Sequence, residues 1–208
     1  MSSQNDKEKI ITAFGGKKGL FDSGIPALVF LLAFNFTKEV SQSALIALSL
    51  SAIVTVIRLI KRETIQHALS GVIGVAICAW ISNRSGKAED FYLPGLWTNA
   101  IYALAYALSN LVRWPVIGLV LGPLLGENLM WRKDPARRNV YIKATWIWVG
   151  LFLSRLIVQY PLYLSENVNA LGTARLVMGY PLFILAAWLT WKIIKAGPSL
   201  KAELRPSN

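Results

Sequence analysis

The chain has 208 residues, of which 54% are hydrophobic and only 16% are charged, and its formal net charge is +11. A soluble domain carries about 25% charged residues, whereas the apolar residues here are concentrated in blocks of about 17–22 residues, the length that a helix needs to cross a bilayer. The composition therefore excludes a disordered chain and argues against a soluble globular domain.

Six apolar blocks predict membrane-spanning helices. In chain order they cover residues 25–36, 44–60, 65–81, 93–112, 140–160 and 173–194. A seventh apolar stretch, residues 115–125, is too short to span and is interrupted by glycine and proline, so it predicts an interfacial or re-entrant segment. The predicted fold is an all-α polytopic membrane protein with six transmembrane helices and this one short segment.

The membrane domain is expected to cover residues 20–195, between two tails. In the N-terminal tail, residues 1–19, lysines alternate with apolar residues between Lys7 and Lys18, so this segment could lie along the membrane surface as an interfacial helix. This tail lacks the apolar core and cleavage site of a signal peptide, so the first apolar block is expected to act as an uncleaved anchor. Residues 196–208 form the predicted C-terminal tail.

The distribution of Lys and Arg predicts the orientation of the spans. If the N-terminus is cytoplasmic, seventeen of the 22 basic residues fall on the inner side, four fall on the outer side, and Arg155 lies within a span. Both termini are therefore expected in the cytoplasm. The charge then serves as an orientation signal and contacts anionic lipid headgroups, and it does not indicate nucleic-acid binding. The densest basic run is RKDPARR, residues 132–138.

Glycines recur at every fourth position of the seventh apolar stretch. Gly118, Gly122 and Gly126 have the spacing that lets helix backbones approach closely. The pattern fits either a constriction or hinge, or simple packing against neighbouring helices.

Arg155 is the most informative single residue because it lies within the fifth predicted span. An arginine in the hydrocarbon costs about 2.5–3.5 kcal/mol at the bilayer centre and less near an end, so its side chain should face protein or water. Gln159 follows one turn later on the same helical face. Arg155 could contact an anion or headgroup, or it could snorkel to the interface or pair with Asp90 or Glu166.

Three of the predicted spans carry stripes of polar and aromatic side chains at helical spacing. These stripes are Ser51, Thr55, Arg58 and Arg62 in the second span, Asn99, Tyr102, Tyr106, Ser109 and Arg113 in the fourth, and Thr145, Trp148, Phe152, Arg155 and Gln159 in the fifth. Such stripes could line a hydrated cavity or form hydrogen bonds between helices.

Two groups of residues are candidates for a functional site. The candidate contacts in a polar cavity are Arg155, Gln159, Asn99, Tyr102, Asp90 and Arg175. A cluster at the inner ends of the spans, where a regulator or partner could bind, comprises Asp22, Arg58, Arg62, His67 and Arg113.

Sequence motifs that would indicate an enzyme are absent. The chain has no GxxxxGK[ST] phosphate loop, no HExxH or GxSxG motif and no aspartate-rich metal motif. A single cysteine, Cys78, and a single histidine, His67, allow neither an intramolecular disulfide nor a His-rich zinc site. No carboxylate lies in the middle of an apolar block, which argues against a typical proton-coupled carrier. No catalytic residue, metal ligand or cofactor is therefore assigned.

Six phrases occur in a fixed order along the chain: GLFDSGIPALVF, RETIQHALSG, AEDFYLPG, LVRWPVIG, SRLIVQYPLYL and LGTARLVMGYPL. In these phrases residues 15–191 resemble an uncharacterised family of actinobacterial integral membrane proteins, a domain of unknown function. More distantly, a short basic segment with proline, followed by a helix containing residues 148–152, resembles the intracellular septation protein A family, which is associated with envelope synthesis and division. The resemblance implies a multi-span protein of the bacterial cytoplasmic membrane, with no catalytic residues to carry over.

These features predict a non-enzymatic factor in cell-envelope biogenesis or division. It would act through contacts with other membrane proteins or as a homo-oligomer. The alternative is a transporter or channel for a small solute, ion or lipid, with a polar cavity near Arg155. A membrane enzyme is the least favoured class because the acid, metal and nucleophile motifs are missing.

Overall fold

The computed structural model describes residues 16–60 and 65–200, and it describes side chains for residues 25–57, 60 and 72–200. All regular secondary structure in these residues is helical. The α-helices are α1 (Gly16–Thr37), α2 (Val40–Ile60), α3 (Ile65–Ser85), α4 (Leu93–Leu111), α5 (Val116–Leu124), α6 (Pro135–Leu164), α7 (Val168–Val177) and α8 (Tyr180–Ala196). Two short 3₁₀ helices, Ala88–Tyr92 and Met130–Arg132, precede α4 and α6. The all-α prediction is confirmed.

Three helical segments are long and apolar enough to cross a membrane. They are Val40–Ile57 in α2, Pro135–Leu164, which is α6, and Val168–Ala196, which contains α7 and α8. The bent pair Ala88–Leu111 and Val116–Leu124 makes a fourth if it forms one span. The described parts of α1 and α3 contain shorter apolar segments. The chain therefore has three or four candidate spans in its described residues, and the number six stays a prediction.

The chain turns by 80° between α4 and α5. At the turn, Arg113 has a left-handed backbone with φ of 59°, and the N–H of Trp114 donates to the carbonyl of Ser109 at 2.8 Å. Pro115, which has no N–H to donate, then precedes the first residue of α5. The predicted short segment is thus a nine-residue helix, in an arrangement that fits a broken span or a re-entrant loop.

The predicted sixth span is divided into two helices. α7 ends at Val177 and α8 begins at Tyr180. Pro181 has no N–H with which to continue the helical ladder across the break, and a proline is tolerated in the first turn of a new helix. Asn167 starts α7 by accepting a hydrogen bond from the N–H of Ala170 at 3.0 Å.

The chain divides into two compact units. Among the described residues, the first unit contains Gly16, Asn99–Arg155 and residues 180–200, and the second contains residues 17–60, residues 65–98 and Leu156–Gly179. The core of the first unit is built around fully buried large side chains: Ile117, Leu121, Trp131, Tyr141 and Trp148.

The core of the second unit is centred on the 3₁₀ helix Ala88–Tyr92. The Phe91 ring stacks on that of Phe30 with centroids 3.9 Å apart, and the Tyr92 hydroxyl donates to the carbonyl of Ala27 at 3.3 Å. Gly172 of α7 lies so close that a Cβ there would approach the Tyr92 hydroxyl to 2.9 Å.

Candidate functional site

The polar stripe of the second predicted span lies on the buried side of α2. Ser43, Ala47, Ser51 and Thr55 recur at every fourth position, and each is at most 8% exposed. The Thr55 hydroxyl donates to the carbonyl of Ser51 at 2.9 Å. α2 packs along α3, so these small side chains allow two helices of the second unit to approach closely.

The polar stripe of α4 packs against an aromatic side chain of α6 in the first unit. The rings of Tyr102 and Tyr106 lie 5.4 and 5.5 Å from that of Phe152, measured between centroids. Farther along α4, the Ser109 hydroxyl donates to the carbonyl of Tyr106 at 2.7 Å, and the Asn110 amide donates to the carbonyl of Ile142 at 3.1 Å. Ring packing and backbone hydrogen bonds therefore occupy much of this stripe.

The stripe of α6 is also engaged within the first unit. The Thr145 hydroxyl donates to the carbonyl of Tyr141 at 2.9 Å and accepts the N–H of Ile117, at the start of α5, at 3.3 Å. The Trp148 indole N–H donates to the Thr190 hydroxyl of α8 at 2.9 Å. These bonds tie α6 to α5 and to α8.

The glycines of α5 leave room for the Trp131 side chain to pack against the helix backbone. A Cβ on Gly118 would lie 2.9 Å from the Trp131 ring, and one on Gly122 would lie 2.5 Å from the indole nitrogen of Trp131 and from the carbonyl of Asn128. Gly126, just beyond the helix, has a left-handed φ of 74°. Of the two interpretations of these glycines, the geometry favours close packing.

A buried ion cluster in the first unit was not predicted from the sequence. The Arg137 guanidinium donates to both carboxylate oxygens of Glu127, with a shortest distance of 2.6 Å. The Tyr141 hydroxyl donates to the same carboxylate at 2.8 Å. The side chains of Arg137 and Glu127 are only 6% and 13% exposed. Arg137 also donates to the carbonyls of Ile194 and Pro198, so the cluster anchors the chain at and beyond the end of α8.

The start of α6 holds Arg137 in position. Asp134, which is 2% exposed, accepts the backbone N–H of Ala136 at 3.0 Å and that of Arg137 at 3.4 Å. Pro135 occupies the first helical position, where the missing N–H costs little. The Asp-Pro pair is the sequence signal that marks this helix start.

The second unit contains a polar cluster around the 3₁₀ helix Ala88–Tyr92. The Tyr163 hydroxyl donates to Asp90 at 2.6 Å. Lys87 donates to Glu166 at 2.7 Å, and this hydrogen bond raises the pKa of Lys87 above its ordinary value. Lys87 also lies 3.9 Å from Glu89. These contacts fasten the end of α6 to the segment that follows α3.

Arg175 also contacts the same 3₁₀ helix. It donates to the carbonyl of Tyr92 at 3.3 Å, and its guanidinium carbon lies 5.5 Å from the Tyr92 ring centroid. A Cβ on Gly95 would collide with this guanidinium. Asp90 and Arg175, both predicted as cavity contacts, thus adjoin one short helix of the second unit.

The other predicted cavity residues are divided between the units. Gln159 belongs to the second unit and is 3% exposed, whereas Arg155, Asn99 and Tyr102 belong to the first. Asp90 accepts from Tyr163 and Glu166 accepts from Lys87, so each carboxylate considered as a partner of Arg155 has a hydrogen bond within the second unit. A polar cavity that joins all six residues stays a prediction.

Most of the predicted inner cluster lies outside the described side chains. Asp22, Arg58 and His67 fall on helices whose side chains are not described there, and Arg62 falls outside the described residues, as does nearly all of the proposed N-terminal interfacial helix. Arg113 is exposed at the turn between α4 and α5. Among the described residues, no group of three His, Cys, Asp or Glu side chains is placed to hold a metal ion.

Comparison with known proteins places the chain in a family. Residues 14–201 match a family model described as "Protein of unknown function (DUF3159)". No curated protein and no solved structure matches the chain. The match covers nearly the same residues as the phrases that resembled an uncharacterised family, and it confirms that the family is one of unknown function. The actinobacterial origin and the distant resemblance to the septation protein A family stay predictions. The chain belongs to the DUF3159 family of proteins of unknown function.

Proposed function

We propose that this protein is a non-enzymatic factor of the bacterial cytoplasmic membrane, with both termini in the cytoplasm. It acts in cell-envelope biogenesis or division by binding other membrane proteins or further copies of itself. The observation that carries the proposal is that polar side chains on the stripes of α2, α4 and α6 take part in helix packing and backbone hydrogen bonds. The bonds that join two helices, from Asn110 to Ile142 and from Trp148 to Thr190, hold helices of the first unit together, which suits a scaffold better than a solute path.

The outer faces of the helices support the same proposal. Only 28% of the apolar window in α2 is buried, and Ile53 on this helix is 56% exposed. Leu104 on α4 and Ile184 on α8 are 61% and 60% exposed. Lipid or another membrane protein must cover apolar surfaces of this kind. The distant resemblance to the septation protein A family supports a partner in envelope synthesis or division.

Site-specific photo-cross-linking in intact cells tests the proposal. A small diazirine-bearing residue is placed at Ile53, Leu104 or Ile184, one position per strain and at native expression level. We expect a discrete protein adduct, heavier than the monomer, from at least one of these faces. Ala47 is fully buried on α2, and a probe there serves as the control that should give no such adduct. Lipid adducts alone from all three exposed positions would contradict the proposal.

Transport of a small solute, ion or lipid is the alternative function. Its specific support is Gln159, which is 3% exposed within an apolar helix and lies one turn after Arg155. An uncharged polar side chain buried at this depth is a candidate for a solute contact. Purified protein in liposomes would then show flux that Arg155→Leu abolishes and that Arg84→Leu, a change at the exposed end of α3, leaves intact. Equal flux in both variants would remove this alternative.

A further inference from the structure

We propose that the first unit binds the phosphate group of an anionic phospholipid, at a site centred on Arg132 and Trp114. The guanidinium carbon of Arg132 lies 3.5 Å from the centroid of the Trp114 ring. Stacking of this kind uses the flat face of the guanidinium and holds it in one orientation. The N–H groups along its edge are left to bind a phosphate, because a planar guanidinium can donate two parallel hydrogen bonds to phosphate oxygens. This inference is independent of the partner contacts proposed above.

Basic residues flank both members of this stack in the sequence. Arg113 directly precedes Trp114, Lys133 directly follows Arg132, and Arg138 lies in the first turn of α6. Within the described part of the chain, none of these four cations lies within ion-pair distance of a carboxylate. Their positive charge is therefore available to an anion from outside the protein.

The two acidic residues closest in sequence are already engaged. Both oxygens of Glu127 accept hydrogen bonds, from Arg137 and from Tyr141. Asp134 accepts the backbone N–H groups of Ala136 and Arg137 at the start of α6. Because these carboxylates serve the fold, they do not offer a hydrogen-bonding partner to the neighbouring basic side chains.

Arg138 supplies a second, independent observation. Its Nε atom is shielded from solvent and has no hydrogen-bond acceptor among the described residues. A shielded guanidinium N–H without an acceptor costs free energy, and native proteins usually satisfy such a donor. Nε itself is out of a ligand's reach, but an anionic headgroup bound beside Arg138 would offset the unpaired charge of its guanidinium.

The apolar surroundings identify the phosphate as that of a lipid. Leu111 and Val112, at the end of α4, are 69% and 64% exposed, and Leu129 is 50% exposed. Trp114 itself is partly exposed, as is usual for tryptophan at the level of the headgroups. A free phosphate would leave these apolar side chains in water, whereas the acyl chains of a phospholipid would cover them.

Native mass spectrometry of the purified full-length chain, titrated with phosphatidylglycerol in detergent, tests the site. We expect Arg132→Gln to weaken lipid binding about fivefold, which corresponds to ~1 kcal/mol for one basic residue. Arg132→Lys keeps the charge without the planar fork and should fall between the wild type and Arg132→Gln. Trp114→Leu keeps every cation and should also weaken binding, so the proposal does not depend on one variant folding.

Lys192→Gln is the matched control. The Lys192 ammonium also lies over a tryptophan ring, 4.7 Å from the centroid of Trp188, so this change removes an equal charge and a cation–π contact elsewhere in the same unit. Binding by Lys192→Gln should stay close to that of the wild type. An equal loss in Lys192→Gln and Arg132→Gln would show unspecific charge attraction and overturn the proposal.

The source of the phosphate is tested with two further probes. Phosphatidylcholine, whose headgroup has no net charge, is expected to bind more weakly than phosphatidylglycerol. Excess inorganic phosphate is expected to leave most of the bound phosphatidylglycerol in place. Complete displacement by inorganic phosphate would identify a free-phosphate site and overturn the assignment to a lipid.

Discussion

Removal of the Glu127 carboxylate should destabilise the protein strongly. Glu127→Ala leaves the Arg137 guanidinium, whose side chain is only 6% exposed, without its counter-charge. Loss of one partner from a buried ion pair costs about 3–5 kcal/mol. Arg137 keeps the carbonyls of Ile194 and Pro198 as acceptors, so we expect a value near the lower limit, about 3 kcal/mol.

A double-mutant cycle separates the ion pair from the packing around it. Arg137→Met alone should also be costly, since it leaves the Glu127 carboxylate buried with Tyr141 as its only donor among the described residues. The double variant Glu127→Leu/Arg137→Met removes both charges, and it should be more stable than either single variant because no unpaired ion remains. Reversible unfolding in mixed detergent micelles, followed by circular dichroism, gives the free energy of unfolding for each variant.

Glu166→Ala is the control for loss of a carboxylate. Glu166 pairs with Lys87 at a similar distance, but the two side chains are 63% and 55% exposed, so solvent screens their attraction and the change should have little effect. If Glu127→Ala proves as mild as Glu166→Ala, or if the double variant loses as much as the sum of the single ones, the argument from burial is refuted.

Four further substitutions test the packing and the hydrogen bonds of the helices. Gly122→Ala should lower the free energy of unfolding by about 1–3 kcal/mol because the added Cβ meets a buried indole and a backbone carbonyl. Gly150 of α6 has open space around it, so Gly150→Ala should be neutral or should stabilise the protein by up to ~1 kcal/mol. Equal stabilities of the Gly122→Ala and Gly150→Ala variants would contradict the packing. Thr190→Val should cost about 1 kcal/mol in detergent unfolding because the Trp148 indole loses its hydroxyl acceptor. Tyr163→Phe removes the donor to a carboxylate of the second unit and should lower the melting temperature by about 2–4 °C; an unchanged melting temperature would count against that bond.

The helical class was predictable because apolar blocks of spanning length have few other solutions. The break between α7 and α8 was not, since residues 173–194 read as one apolar run. The phrases QYPLY at 159–163 and GYPLF at 179–183 look alike, yet Pro161 lies inside α6 whereas Pro181 lies in the first turn of α8. A local pattern does not determine whether a proline ends a helix, because packing can compensate for the lost hydrogen bond.

The polar stripes were visible in the sequence, but their partners were not. Spacing puts Tyr106 and Ser109 on one face of α4, while only the fold shows that Phe152 covers this face. The cluster of Glu127 and Arg137 was missed for a related reason. Arg137 lies in a run of basic residues, and nothing in the sequence distinguishes it from its neighbours as the buried one. The turns between residues 125 and 134 bring Glu127 next to Arg137.

The anchoring of the chain beyond α8 has a consequence for biosynthesis. The Arg137 guanidinium finds its carboxylate only 10 residues earlier in the chain, but its two carbonyl acceptors come 57 and 61 residues later. During translation, Glu127 and Arg137 are therefore synthesised first. The two carbonyl acceptors follow only after α7 and nearly all of α8 have been synthesised. Until then these two acceptors of the guanidinium are missing, and a chain stalled before residue 194 would carry an incomplete cluster.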